Sequence, residues 1–195
     1  MTSALRSLFL VNILTMLRIP LTVLFIYFTN LFIVEQAAVA GNISLFISVI
    51  IISTDLLDGI LARKYLVVTR FGQIFDVICD FFYILFSLFL FNYYEIISKY
   101  IICVVIYKFI EFIIFSMLYD DPIQKKETVF LFDIPGRFTS ALYYLLPSIQ
   151  VLYLLKCIDK FKIINIIYLT ILFFSFISSV IKFNNIRFSR YIIKK

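Results

Sequence analysis

The chain has 195 residues, 63% of them hydrophobic and 15% charged, against roughly 45–50% and about 25% in soluble domains. A mean hydropathy of +1.05 excludes a water-soluble fold. The absence of histidine excludes serine–histidine triads, histidine bases and histidine-ligated zinc. In this composition the formal charge of +6 reports membrane orientation and not nucleic-acid binding.

Six apolar stretches follow in order: 9–33, 43–62, 71–92, 97–118, 138–155 and 161–183. Each is close to the ~20 residues that span a bilayer as a helix. They predict an all-α, polytopic membrane protein with six transmembrane helices in a single domain over 1–195. The opening Thr2–Leu8 predicts a short interfacial helix. The first stretch carries Arg18 and Pro20 and lacks the short apolar core and cleavage site of a signal peptide, so it reads as a retained span. Cys79, Cys103 and Cys157 lie apart in apolar surroundings, which argues against a disulfide framework or a zinc site.

Six spans put both termini on one side. That side collects Arg6, Arg63, Lys64, Arg70, Lys125, Lys126, Arg137, Lys182, Arg187, Arg190, Lys194 and Lys195. The other side receives only Lys99, Lys156, Lys160 and Lys162. The positive-inside rule then makes the termini cytoplasmic, in a cell membrane whose lipids the C-terminal basic residues can also attract.

Of the twelve Asp and Glu residues, this reading places four inside spans: Asp55, Asp58, Asp76 and Asp80. Each isolated charge there costs roughly 2.5–3.5 kcal/mol, so a cation or protons must compensate them. Asp55, Asp58, Gly59 and Ala62 share one helical face, and Gly72, Asp76 and Asp80 form a second stripe four residues apart. The short connection between the two helices predicts antiparallel neighbours with facing stripes, converging four carboxylates on one site. An all-oxygen site suits Mg²⁺, Mn²⁺ or Ca²⁺, and four carboxylates can hold two ions. Gly59, Ala62 and Gly72 leave room for a ligand beside the acids. A rival class, a cation or proton transporter, would use the same acids. It would more often show internal repeats and interrupted helices, and neither is seen here.

The full pattern over 55–80 reads Asp55-x2-Asp58-Gly59-x2-Ala62-Arg63-x8-Gly72-x3-Asp76-x3-Asp80. It resembles the signature of the CDP-alcohol phosphatidyltransferases, D-x2-D-G-x2-A-R-x8-G-x3-D-x3-D, at every fixed position. Asn12, Thr15 and Arg18 are similar to the N-x-L-T-x-x-R segment of bacterial members, and Thr69–Gly72 to their approach to the third helix.

The resemblance implies transfer of a phosphatidyl group from CDP-diacylglycerol to a small polar alcohol, with release of CMP. It implies two divalent cations, Mg²⁺ or Mn²⁺, held by Asp55, Asp58, Asp76 and Asp80, with Asp80 as the base. It further implies that Gly59, Ala62, Arg63 and Gly72 line the CDP site, and that the chain forms a homodimer. Pro135-Gly136-Arg137-Phe138-Thr139 is similar to a G-K-x-x-T segment of phosphatidylglycerophosphate synthases, which points to glycerol 3-phosphate as acceptor and Arg137 as its ligand. Lys108, Lys182, Arg187 and Arg190 are further candidates. Asp80 is followed by Phe81 where that subfamily often carries Lys, so serine, inositol phosphate and other alcohols stay open.

Overall fold

The computed structural model describes residues 2–65, 70–118, 134–156 and 161–193, with side chains described for 13–61, 64–65, 72–115, 134–156 and 163–184. Six helices follow in chain order: α1 (Thr2–Glu35), α2 (Ala38–Lys64), α3 (Arg70–Tyr93), α4 (Lys99–Leu118), α5 (Ile134–Leu154) and α6 (Phe161–Ile193). All six apolar stretches are therefore helical. Among the described residues four helical segments are long and apolar enough to cross a membrane: Ile13–Glu35, Ala38–Leu61, Gly72–Tyr93 and Ile163–Asn184. Thr2–Leu8 is not a separate helix; it forms the first turns of α1. No Gly or Pro interrupts the chain before Pro20, so nothing there breaks the backbone hydrogen-bond ladder.

The pattern of burial is that of helices packed in lipid. On α1 the buried positions are Thr15, Arg18, Thr22, Phe25, Thr29 and Phe32, a repeat of three and four residues, whereas Met16, Val23, Leu24 and Tyr27 are exposed. Four of the six buried residues are polar, the reverse of a soluble amphipathic helix. Where lipid tails replace water, apolar side chains gain nothing by turning inward. Small and hydrogen-bonding residues make the contacts instead.

The helices form two compact units. The first comprises Met1–Ile97 with Leu146–Asp159, and the second Ser98–Leu145 with Lys160–Lys195.

In the first unit α1 is the shared helix, packed along both α2 and α3. The stripes on α2 and α3 are expected to face one another as antiparallel neighbours, and their acids do converge, with the Arg18 side chain of α1 among them. The pairs Thr15–Asp58 and Phe32–Gly41 run in opposite chain directions, so α1 is antiparallel to α2. The pairs Arg18–Asp80, Phe25–Tyr83 and Asn30–Tyr94 run in the same direction, so α1 is parallel to α3. Gly41, Ser44 and Ser48 form a small-residue stripe on the buried face of α2 that permits close approach. A Cβ at Gly41 would lie 2.8 Å from Leu155 Cδ2 and 3.1 Å from the Phe32 ring.

The turns ending α1, α3 and α5 each use a non-glycine residue with positive φ: Gln36 (55°), Glu95 (57°) and Lys156 (59°). After α3 the turn closes by hydrogen bonds from Ile96 N–H to Phe91 O and from Glu95 N–H to Asn92 O, both 2.9 Å. That pattern satisfies carbonyls a helix end leaves open.

In the second unit α4 packs against α6, and the first part of α5 contributes Tyr143 and Phe138. At the centre is Glu111 on α4, buried to 6% exposure. It is a fifth acid inside an apolar stretch, which corrects the expectation of four.

Candidate metal and nucleotide site

Helical spacing alone puts Asp55 and Asp58 on one face of α2, and Asp76 and Asp80 on one face of α3. The fold brings all four to Arg18 of α1. Its Nη1 lies 3.0 Å from Asp55 Oδ1, 2.7 Å from Asp76 Oδ1 and 2.7 Å from Asp80 Oδ1. Its Nη2 donates to Asp58 Oδ2, which also accepts from Thr15 Oγ1 at 3.1 Å. Arg18 and Asp58 are buried, and the carboxylates of Asp55, Asp76 and Asp80 are about a third exposed.

Among the described side chains one guanidinium meets four carboxylates, so full ionisation of the four would leave three negative charges uncompensated. The hydrogen bonds do not balance either. Nη1 carries two hydrogens and faces three carboxylates; it donates to Asp80 Oδ1. Asp76 Oδ1, although close to that nitrogen, is a buried acceptor without a hydrogen bond. Carboxylate oxygens of Asp55, Asp76 and Asp80 all lie within 4.8 Å of one another. Three hard oxygen donors converging on one small volume, one of them unsatisfied, fit a divalent cation with oxygen ligands.

The other expected site residues fall as follows. Gly59 adjoins Asp58, and Gly72 lies one turn before Asp76; both are half-buried. Ala62 and Arg63 continue α2, but their side chains lie outside the described ones, as do those of Asn12, Arg187 and Arg190; Thr69 and Cys157 lie outside the described residues. Arg137 is exposed in the first turn of α5. Lys108 and Lys182 belong to a network joining α4 to α6. Lys108 Nζ donates to Glu111 at 2.9 and 3.1 Å, to Ser175 O at 3.1 Å and to Ser179 Oγ at 3.1 Å. Ser179 Oγ donates to Glu111 Oε2 at 2.5 Å, and Lys182 Nζ lies 3.6 Å from Glu111 Oε1. Tyr143 OH and Ser175 Oγ, 2.7 Å apart, extend the network to α5. Lys108 is thus committed to holding helices together.

Three residues gained importance only from the fold. Arg18 and Thr15 read in the sequence as parts of a resemblance without a role at the site. Glu111 read as nothing, although Lys108 three residues earlier in the same apolar stretch was a signal for a buried ion pair.

The geometry therefore defines a carboxylate centre within an apolar, membrane-spanning helical protein. A family model described as CDP-alcohol phosphatidyltransferase matches residues 8–186, and the chain belongs to that family. It is accordingly a phosphotransferase of phospholipid synthesis that uses a CDP-alcohol donor. No curated protein matches the chain.

Proposed function

We propose that this enzyme transfers the phosphatidyl group of CDP-diacylglycerol to glycerol 3-phosphate, releasing CMP, in a reaction that requires divalent metal. The convergence of Asp55, Asp76 and Asp80 within 4.8 Å carries the metal reading. Asp58, on the same face of α2 as Asp55, completes the ligand set for two ions, Mg²⁺ or Mn²⁺. Bound there, such ions neutralise a pyrophosphate and stabilise the departing phosphate oxygen.

In this reading the acceptor hydroxyl oxygen bonds to the phosphatidyl phosphorus. The bond from that phosphorus to the CMP oxygen breaks, and CMP leaves with the electron pair. Asp80 takes the hydroxyl proton. Its Oδ1 faces the cluster, where it accepts from Arg18 at 2.7 Å, which leaves the second oxygen for the proton. With no histidine in the chain, a carboxylate is the available base beside the site. Gly59, Ala62, Arg63 and Gly72 line the CDP site; glycine at 59 and 72 lets a nucleotide approach the backbone.

The acceptor rests on Arg137. A guanidinium holds a phosphate through paired, charge-assisted hydrogen bonds, and exposure at the start of α5 leaves Arg137 accessible to a soluble substrate. Serine or another alcohol without a phosphate would need a different ligand set, whereas inositol phosphate would meet the same guanidinium. We further propose that all six helices span the membrane as a single domain over 1–195. Both termini and the acid site face the cytoplasm, from which CDP and a polar acceptor arrive, and the enzyme works as a homodimer.

The test is direct. Purified enzyme is incubated with CDP-diacylglycerol and a panel of alcohols, and released CMP is measured. Chelation should abolish release and Mg²⁺ or Mn²⁺ restore it, with glycerol 3-phosphate the best acceptor. Full turnover in excess chelator would refute the metal reading. Preference for serine or free inositol would refute the acceptor.

A further inference from the structure

Arg18 touches every one of the four carboxylates, yet it is poorly served by them. Its Nε is buried without a hydrogen bond, and Nη1 meets more acceptors than it has hydrogens. A planar fork is suited to two oxygens of one carboxylate. Oxygens of three separate residues around a single point instead meet the demand of a spherical ion. Nη1 thus stands among the same oxygens that would take a divalent cation, and the two cations exclude one another there. Nη2 faces a different partner, Asp58, itself held by Thr15.

We propose that Arg18 is a positioning residue that acts as a tethered competitor for the divalent ion. In the metal-free protein its guanidinium offsets part of the cluster's charge. It also ties α2 and α3 to the two sides of α1. Divalent binding takes Asp55, Asp76 and Asp80 over from Nη1, with the Asp58–Nη2 pair as the tether. The inference rests on the metal reading above. It adds that the protein folds without metal, and that its affinity for metal is lower than the carboxylates alone would give.

The two cations are coupled through shared ligands, so removing one must strengthen the other. A merely structural arginine predicts the opposite sign. The full chain is purified in detergent with Mn²⁺ and then stripped with chelator. Mn²⁺ binding is read from the electron paramagnetic resonance signal of the free ion. Arg18→Gln removes the charge and should bind Mn²⁺ roughly fivefold tighter or more. Its metal-free form should melt below wild type, and Mn²⁺ should raise its Tm by more than it raises wild type's. Arg18→Lys keeps the charge and should bind within about twofold of wild type, on the same coupling argument.

Unchanged or weaker Mn²⁺ binding by Arg18→Gln overturns the proposal, as does a variant that fails to fold even with Mn²⁺ present, since the ion should replace the missing charge. If wild type binds no Mn²⁺, the metal reading itself has failed. If wild type binds and Arg18→Gln binds no tighter, only the competition has failed.

Discussion

Lys108 in the second unit and Arg18 in the first are both buried cations in apolar helices, and they are treated in opposite ways. Lys108 has three hydrogens and spends them on Glu111, a backbone carbonyl and a serine hydroxyl. Ser179 and Lys182 supply the rest of what Glu111 requires. Arg18 faces four carboxylates, satisfies them unevenly and leaves Asp76 Oδ1 and its own Nε without hydrogen bonds. A polar network that closes on itself fixes helices. One that stays open and keeps excess charge of one sign is prepared for something that arrives later.

Breaking the open network should produce the largest effect. Asp80→Asn should lower CMP release roughly 10²–10⁴-fold, the range of general acid–base catalysis. Binding of the CDP-lipid should suffer less than in Asp55→Asn or Asp76→Asn. Near-normal turnover would remove Asp80 from the base role.

The closed network should answer in stability. Glu111→Ala removes the carboxylate that buried Lys108 bonds to, a loss of roughly 3–5 kcal/mol by analogy with other broken buried pairs. The Tm in detergent should fall, and Mn²⁺ should not recover it. The double variant Lys108→Met/Glu111→Leu should regain most of the loss, because apolar replacement of a whole pair is often neutral or stabilising. Recovery of Glu111→Ala by Mn²⁺ would erase the distinction between the two networks.

Arg137 is exposed at the start of α5, and its effect should be confined to the acceptor. Arg137→Ala should raise the KM for glycerol 3-phosphate about tenfold, as expected for loss of a hydrogen bond to a charged group, and leave that for CDP-diacylglycerol nearly unchanged. Arg137→Lys should recover part of the loss, since it keeps the charge without the fork. Equal rises in both KM values would assign it elsewhere.

The smallest effect belongs to a contact that holds the open network's frame. Gly41→Ala should cost about 1 kcal/mol or less in thermal stability, because the groups it meets are the end of Leu155 and a Phe32 ring that can give way. Gly41→Leu exceeds that tolerance and should lower Tm further, with a loss of CMP release if α1 is pushed from α2.

How far the sequence carried this picture follows from the range of each signal. Helix positions were legible because apolar runs are local: the stretch read as 71–92 is Arg70–Tyr93, and 97–118 is Lys99–Leu118. The grouping of Asp55 with Asp58, and of Asp76 with Asp80, followed from helical spacing. The convergence of both stripes on Arg18 of α1 did not, because the Arg18–Asp58 and Arg18–Asp80 pairings span 40 and 62 residues and leave no periodic trace. Glu111 escaped for another reason. A window average over twenty apolar residues hides one acid, and only its pairing with Lys108 and Lys182 across two helices reveals why it is tolerated. The expected CDP contacts of Ala62 and Arg63 lie outside the described side chains.

The place of Arg18 on the first helix also bears on how the protein is made. The ribosome delivers α1 before α2 and α3, so a positive charge enters the lipid 40 residues ahead of Asp58 and 62 ahead of Asp80. The high hydropathy of Ile13–Glu35 lets the segment carry that charge alone for a time, at roughly 2.5–3.5 kcal/mol. When α2 follows as its antiparallel partner, Asp58 relieves the charge, and α1 then becomes the template against which α3 is received. The helix that is synthesised before α2 and α3 is the one around which their four acids are later assembled, so errors in its insertion would be felt at a site whose remaining parts had not yet left the ribosome.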